Sequence, residues 1–389
     1  MPGEKTTRVG SVVSPFQQPS HDVRTPAELA NVAEALGDVN LLAVDVEADA
    51  LHAFRPRLCF VQLGTDEDIW LLDTLETPGL APLAPVFHDP SLVKVFHAAG
   101  GDLQFLAEAG VRVRGLFDTH RAATLLGWPK VGLADLVQEQ LGVTLKKEHQ
   151  QADFAQRPLP PPLRTYIADD VRYLSEVGRR VRAACETADI LEEVSLDCER
   201  LADEAAVRPQ VARFEPKVSR TLSENDQAFL VAAGAALHAL RLAWAEAADV
   251  PMGKMLSNAA IQELVSKPPT ELRALARTQG VRGQVVREHG EEVLALLARF
   301  RAQADRSEFP PPAPLVRDPA RKKREEALKA WRSEAAAARK VTPSVVLTNP
   351  LVESLAREPP PSREALLAVP YLGEKRVRLY GDALLRLLR

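Results

Sequence analysis

Residues 41–49, LLAVDVEAD, constrain the fold of this chain more than any other stretch. Four apolar residues, Leu41 to Val44, run directly into Asp45 and Glu47, with Val46 between them. A short run rich in branched side chains, entered through the turn-like Gly37-Asp38-Val39-Asn40, reads as a buried strand. Side chains alternate across a strand, so Asp45 and Glu47 leave on one face and Val46 on the other. Two carboxylates at the end of a core strand repel each other and resist desolvation. Either the strand has already ended and both acids are solvated, or a divalent cation between them removes the conflict.

A length of 389 residues predicts two or three domains, and 46% hydrophobic with 26% charged residues predicts an ordinary globular protein. Cys59, Cys185 and Cys198 are an odd number without metal-ligand spacing, which argues against a disulfide framework or a zinc site and fits a reducing interior. The start, MPGEKTTRVG, has no apolar core of a secretory signal, and the apolar run Ala228–Leu237 is too short to cross a bilayer. The expected location is therefore the cytoplasm. Charge is divided unevenly. Residues 1–205 carry 19 Lys and Arg against 32 Asp and Glu, a balance of −13, while residues 206–389 carry 30 against 21, a balance of +9. Such a division suits carboxylates that hold cations in front and a polyanion-binding surface behind; solvated helix faces produce the same imbalance.

Along the chain, residues 1–22 read as a polar lead-in. Residues 23–207 read as an α/β domain with a mixed sheet: strands at 58–63, 69–73 and 93–97 follow the acidic one, the first three forming an antiparallel meander. Helices are expected at about 25–36, with Thr25-Pro26-Ala27-Glu28 as a capping start, and at 80–87, 102–109, 118–126, 133–141 and 163–184. A loose segment, 208–223, leads to a helical domain at 224–305, and a proline-rich linker, 306–320, to another at 321–389. The two helical domains are copies. LSNAAIQELVSKPP at 256–269 aligns without gaps on LTNPLVESLAREPP at 347–360, an offset of 91.

Two further acidic positions matter. In VFHAAGGDL, at 95–103, a strand ends, small residues follow, and Asp102 opens a helix, where it reads equally well as an N-cap. In YIADDVRYL, at 166–174, Tyr166 and Asp170 lie one turn apart on one helix face, an arrangement an ordinary helix also produces; Asp169 turns toward solvent. Gln62 is a candidate contact to a base or sugar, or else a buried amide bonded within the sheet. His97 is a candidate contact to a terminal nucleotide, or else a satisfied core histidine. Asp118 reads as an N-cap, and Arg321-Lys322-Lys323-Arg324 as a solvated helix start or a phosphate contact.

Taken in order, Asp45-x-Glu47, Asp102 after its HA-x-x-x-D turn, and Tyr166-x-x-x-Asp170 resemble the three motifs of the DEDD 3′–5′ exonucleases, tyrosine subclass. Leu58–Leu63, FDTHRAATLLG at 117–127 and the spacing within 151–174 are similar to the ribonuclease D family in particular. Both helical copies resemble the HRDC domain, a nucleic-acid-binding module, with LGEKRVRLYG at 372–381 its most typical piece. Departures are Ala48 and Phe154, where an aromatic and a Trp are common, and His289-Gly290 in the first copy against Tyr380-Gly381 in the second. The resemblance implies a ribonuclease H-like α/β catalytic domain followed by two all-α HRDC domains.

It also implies two divalent ions, Mg²⁺ or Mn²⁺. These hard cations prefer oxygen ligands, which explains carboxylates rather than Cys or His. Asp45 would bridge both, Glu47 and Asp170 would help hold the ion that carries the attacking water, and Asp102 would act largely through bound water on the second. Tyr166 would orient the attacking water. The implied activity is stepwise release of 5′-mononucleotides from RNA 3′ ends, with precursor tRNA and other small structured RNAs as substrates and the chain acting as a monomer. Two rivals are a DNA-directed 3′–5′ exonuclease, whose histidine subclass would carry His in place of Tyr166, and a non-catalytic RNA-binding protein with a relict fold.

Overall fold

The computed structural model describes residues 16–77, 79–145, 148–149, 151–207, 214–219, 221–310 and 318–389. They belong to two compact units, one drawn from 1–47, 58–208 and 319–389, the other from 48–57 and 209–318. Most of the expected lead-in, the linker residues 208–213 and 220, and residues 311–317 of the proline-rich linker lie outside the described residues.

In the first unit the described residues form a six-stranded sheet from β1 (Ser20–Val23), β2 (Leu41–Ala48), β3 (Leu58–Gly64), β4 (Ile69–Asp73), β5 (Val93–Phe96) and β6 (Leu116–Asp118), in the order β1-β4-β3-β2-β5-β6. β3 and β4 pair antiparallel around the turn at Thr65, whereas β1–β4, β2–β5 and β5–β6 pair parallel, which makes the sheet mixed as expected. β2 lies between β3 and β5, and its Leu42, Ala43 and Val44 are fully buried. Every large side chain enclosed this way contributes about 1.5–3 kcal/mol.

Helices α1 (Pro26–Ala35), α2 (Ala84–His88), α3 (Gly100–Glu108), α4 (Thr119–Leu126), α5 (Leu133–Leu141), α6 (Pro161–Arg172), α7 (Leu174–Thr187) and α8 (Leu191–Ala205) accompany the sheet. The capping start of α1 is present: the Thr25 side chain accepts from the Glu28 N–H, and the Glu28 carboxylate accepts from the Thr25 N–H. α7 crosses β5 so closely that a Cβ on Gly178 would stand 2.7 Å from a Val95 methyl.

Two expectations are corrected here. Ser20–Val23, three residues of which fall in the expected lead-in, is an edge strand; only Val23 is buried, so no apolar pattern announced it. The single helix expected at 163–184 is two, α6 and α7, meeting at Tyr173, whose φ of −100° departs from the helical value without a Gly or Pro to signal it.

The second unit holds α9 (Glu224–Ala247), α10 (Met252–Met255), α11 (Asn258–Ser266), α12 (Leu272–Leu275) and α13 (Gly283–Asp305) around Phe229, Leu237, Ile261, Leu264 and Val293. Phe54 packs on this core, and its N–H donates to Asp249 at 3.1 Å. α9 is long and apolar enough to cross a membrane by length and composition, longer than the run Ala228–Leu237 suggested. Its apolar face is the core of this unit, and it also carries the buried Arg241 and His238.

The C-terminal copy repeats the helix order as α14 (Pro319–Arg339), α15 (Pro343–Val346), α16 (Asn349–Arg357), α17 (Arg363–Leu367) and α18 (Glu374–Leu387). Arg241 donates to Leu256 O at 2.9 Å and Asn258 Oδ1 at 2.7 Å. Ninety-one residues on, Arg332 donates to Leu347 O at 3.0 Å and Asn349 Oδ1 at 2.9 Å. The same clamp thus holds both copies, buried at Arg241 in the first and partly exposed at Arg332 in the second. His289 stacks on Trp244 with ring centroids 4.1 Å apart, while Tyr380 meets Trp331 edge-on at 5.5 Å, so each copy has its own aromatic pair.

Residues 319–389 belong to the first unit. Val345 joins the core cluster of the sheet, Thr342 donates to Leu125 O at 2.9 Å, and Tyr371 donates to Asp203 at 2.9 Å. Glu193 on α8 is wholly buried and accepts from Arg339 at 2.8 Å and Lys375 at 3.1 Å.

Candidate active site

β2 continues through Asp45 and Glu47 to Ala48, so the strand has not ended when the acids are reached. α6 packs on the same sheet: a Cβ on Gly64 of β3 would stand 3.1 Å from Val171. Carboxylate oxygens of Asp45, Glu47 and Asp170 all lie within 4.8 Å of one another. Tyr166, one turn before Asp170, brings its hydroxyl close enough to that carboxylate for each to influence the other's ionisation. The other Asp170 oxygen, Oδ2, is buried without a hydrogen-bond partner.

Asp102 is not the N-cap of α3; that position is Ala99, and no side chain caps the helix. Its carboxylate lies outside the tight group of three but close enough for Asp45 to disfavour its ionisation. Asp45, Tyr166 and Asp170 border a cavity of about 750 Å³ also lined by His97, Leu133, Leu145, His149 and Tyr173, among others. That is ample for a small ligand.

A family model described as 3′–5′ exonuclease matches residues 20–186, and an HRDC domain model matches 232–297 and 321–388. The chain is 30% identical over 378 residues to a ribonuclease D of Gluconacetobacter diazotrophicus, covering 94% of this chain and 92% of the relative. The chain belongs to the ribonuclease D family. It is also 35% identical over 168 residues to the rat exosome complex component 10, covering 43% of this chain and 19% of that one. The fold is that of the crystal structure of Escherichia coli RNase D, with a TM-score of 0.67 at 24% identity over 95% of this chain and 98% of the other.

As a ribonuclease D family member the chain is a hydrolase, a 3′–5′ exoribonuclease, of a family that uses divalent metals. The residues present fit such ions. The donor set is all oxygen, its members converge, and Asp170 Oδ2 faces no protein donor. Burial and mutual repulsion act together without a cation. Burial pushes the Asp45 carboxyl up to about 7. Burial, then the charges of Asp45, Asp170 and Asp102, push Glu47 up to about 10. Asp102 and Asp170 are held well above the usual carboxylate range, by burial first and the Asp45 charge second. Burial and the neighbouring acids also raise the Tyr166 phenol, which stays protonated at neutral pH.

Of the two expected substrate contacts, His97 lines the cavity. Its Nδ1 meets Thr119 Oγ1 at 2.9 Å, its ring lies edge-on to His120, and burial lowers it to about 4, so it is neutral. Gln62 is corrected. It is wholly buried in β3 between two neighbouring strands and under α6, is not among the cavity residues, and has no hydrogen-bond partner for either amide atom. Asp169, expected to face solvent, is half-exposed and pairs with Arg172 at 2.8 Å.

Sequence reading missed the aromatic setting of Tyr166. Phe154 stacks on its ring at 6.2 Å and His149 meets it edge-on at 5.8 Å. Neither has a periodic relation to Tyr166 along the chain, so no sequence signal could have paired them.

Proposed function

We propose that this enzyme trims the 3′ ends of small structured RNAs, precursor tRNA among them, releasing 5′-mononucleotides by two-metal-ion hydrolysis with Mg²⁺ or Mn²⁺. The convergence of Asp45, Glu47 and Asp170 within 4.8 Å, with one Asp170 oxygen left for a cation, carries the reading. Bound ions supply Lewis acidity, easing deprotonation of the attacking water and charge build-up on the phosphate. Asp45, Glu47 and Asp170 would hold one ion, and Asp102 would help Asp45 hold the other.

Tyr166 orients the attacking water through its hydroxyl. Because its proton is held more tightly than in free tyrosine, it positions rather than deprotonates. Neutral His97 contacts the terminal nucleotide from the cavity wall. The HRDC copies and the +9 rear half grip the body of the RNA. The three free, buried cysteines fit a reducing, cytoplasmic setting, in which the chain acts as a monomer.

Incubation with a 3′-extended tRNA, with and without Mg²⁺ or Mn²⁺, tests this reading. Metal-dependent shortening by single nucleotides that disappears in Asp45→Ala supports it. Equal activity in both proteins, or faster digestion of a matched DNA oligonucleotide, overturns it.

A further inference from the structure

Asp118 ends β6 and is wholly buried. Its sequence setting marks it as the N-cap of α4, and its Oδ1 does accept from the His120 N–H at 2.9 Å and the Arg121 N–H at 3.1 Å. Capping uses only part of its hydrogen-bonding capacity. The same Oδ1 accepts from the Ala98 N–H at 3.0 Å, and Oδ2 accepts from the Ala99 N–H at 3.0 Å. Those two residues are the turn between β5 and α3. Ala98 holds a φ of +59°, a left-handed conformation that an alanine adopts only under constraint, and Ala99 is the N-cap from which α3 starts. Three residues beyond Ala99 stands Asp102.

Asp118 is itself fixed. Its N–H donates to Cys198 Sγ at 3.4 Å, and the adjoining Thr119 hydroxyl donates to Phe96 O at 3.0 Å, tying the ends of β5 and β6 together. Thr119 Oγ1 also meets His97 Nδ1 at 2.9 Å. One buried carboxylate therefore governs the path of the chain from the last residue of β5 to the helix that carries Asp102.

We propose that Asp118 is a positioning residue of the exonuclease: it holds the left-handed Ala98 turn with both oxygens and so sets where Asp102 meets the catalytic carboxylates. This rests on the assignment of Asp102 to the metal-holding set. Loss of such an outer partner typically costs about tenfold to a hundredfold in activity or metal affinity.

Asp118→Asn separates this role from capping. The amide oxygen can keep the Oδ1 place, with Ala98, His120 and Arg121 as donors, while its NH₂ opposes the Ala99 N–H. The full-length chain would be assayed on a 3′-extended tRNA as wild type, D118N, A98G, D118N/A98G and D102N, with Mn²⁺ affinity read separately by isothermal titration calorimetry. D118N is expected to lose about tenfold to a hundredfold in kcat and to bind Mn²⁺ more weakly, with KM changed less than about twofold. Glycine adopts positive φ without penalty, so A98G alone should behave as wild type, and added to D118N it should restore part of both losses.

An unchanged kcat and Mn²⁺ affinity in D118N would overturn the proposal. So would a loss that matches the unfolded fraction seen by circular dichroism, or one that A98G leaves untouched. Should D102N retain wild-type activity, the assignment of Asp102 fails and takes this positioning role with it.

Discussion

Replacing Asp45 by Asn should stabilise the metal-free fold while destroying the enzyme. Burial raises the Asp45 carboxyl from 3.8 to about 7. At about 1.36 kcal/mol per tenfold change in proton affinity, the ionised group costs the fold up to roughly 4 kcal/mol. Asp45 borders the open cavity, so solvent screening reduces the net cost to about 1–3 kcal/mol. At about 2–4 °C per kcal/mol for a body of this size, the metal-free D45N midpoint should lie about 2–12 °C above wild type.

The folded chain binds this proton more tightly than the unfolded one. The penalty is therefore absent below about pH 3.8, grows as the pH rises and is complete above about 7. Metal-free wild type should gain stability as the pH falls from 8 toward 5, and D45N should gain less. Mn²⁺ should raise the wild-type midpoint by mass action and move D45N far less. Differential scanning fluorimetry in EDTA, then in Mn²⁺, reads all three. A metal-free D45N that melts at or below wild type, or equal Mn²⁺ shifts in the two proteins, would refute the reasoning.

Tyr166→Phe keeps the ring stacked on Phe154 but removes the hydroxyl beside Asp170, so kcat should fall about 10²-fold with Mn²⁺ binding by calorimetry nearly unchanged. His97→Ala should raise KM several-fold and leave kcat within about threefold in steady-state assays, because the ring lines the cavity without joining the carboxylates. Glu193→Ala should cost about 1–3 kcal/mol in urea unfolding, since the buried Lys375 ammonium loses its buried carboxylate and keeps only the exposed Asp189 as a charged partner; adding Lys375→Ala should cost less than the two single changes together.

The catalytic strand was legible because one residue's spacing, Asp45 to Glu47, decides which face both acids share. Tyr166 and Asp170 were legible for the same reason at helical spacing. Asp102 was ambiguous, since an acid near a helix start reads as a cap until the backbone shows the cap to be Ala99. β1 escaped notice because an edge strand needs few apolar residues, and the α6–α7 break because Tyr173 carries no local signal. Gln62 stood open between a substrate contact and a buried amide bonded within the sheet, and only its neighbouring strands reveal that it is enclosed, with neither amide atom bonded. Pairing over long range, as between Glu193 and Lys375, leaves no local trace in a sequence.

Residues 319–389 look like an appendage, since they come last and copy an earlier module. Yet Val345 sits in the nuclease core, and Lys375 and Arg339 neutralise a carboxylate on α8 that water does not reach. A premature stop codon or a proteolytic nick before this segment would leave an apolar scar beside a bare anion. Shortened forms of this enzyme should therefore go to aggregation or the cell's degradation machinery rather than persist as compact minimal nucleases.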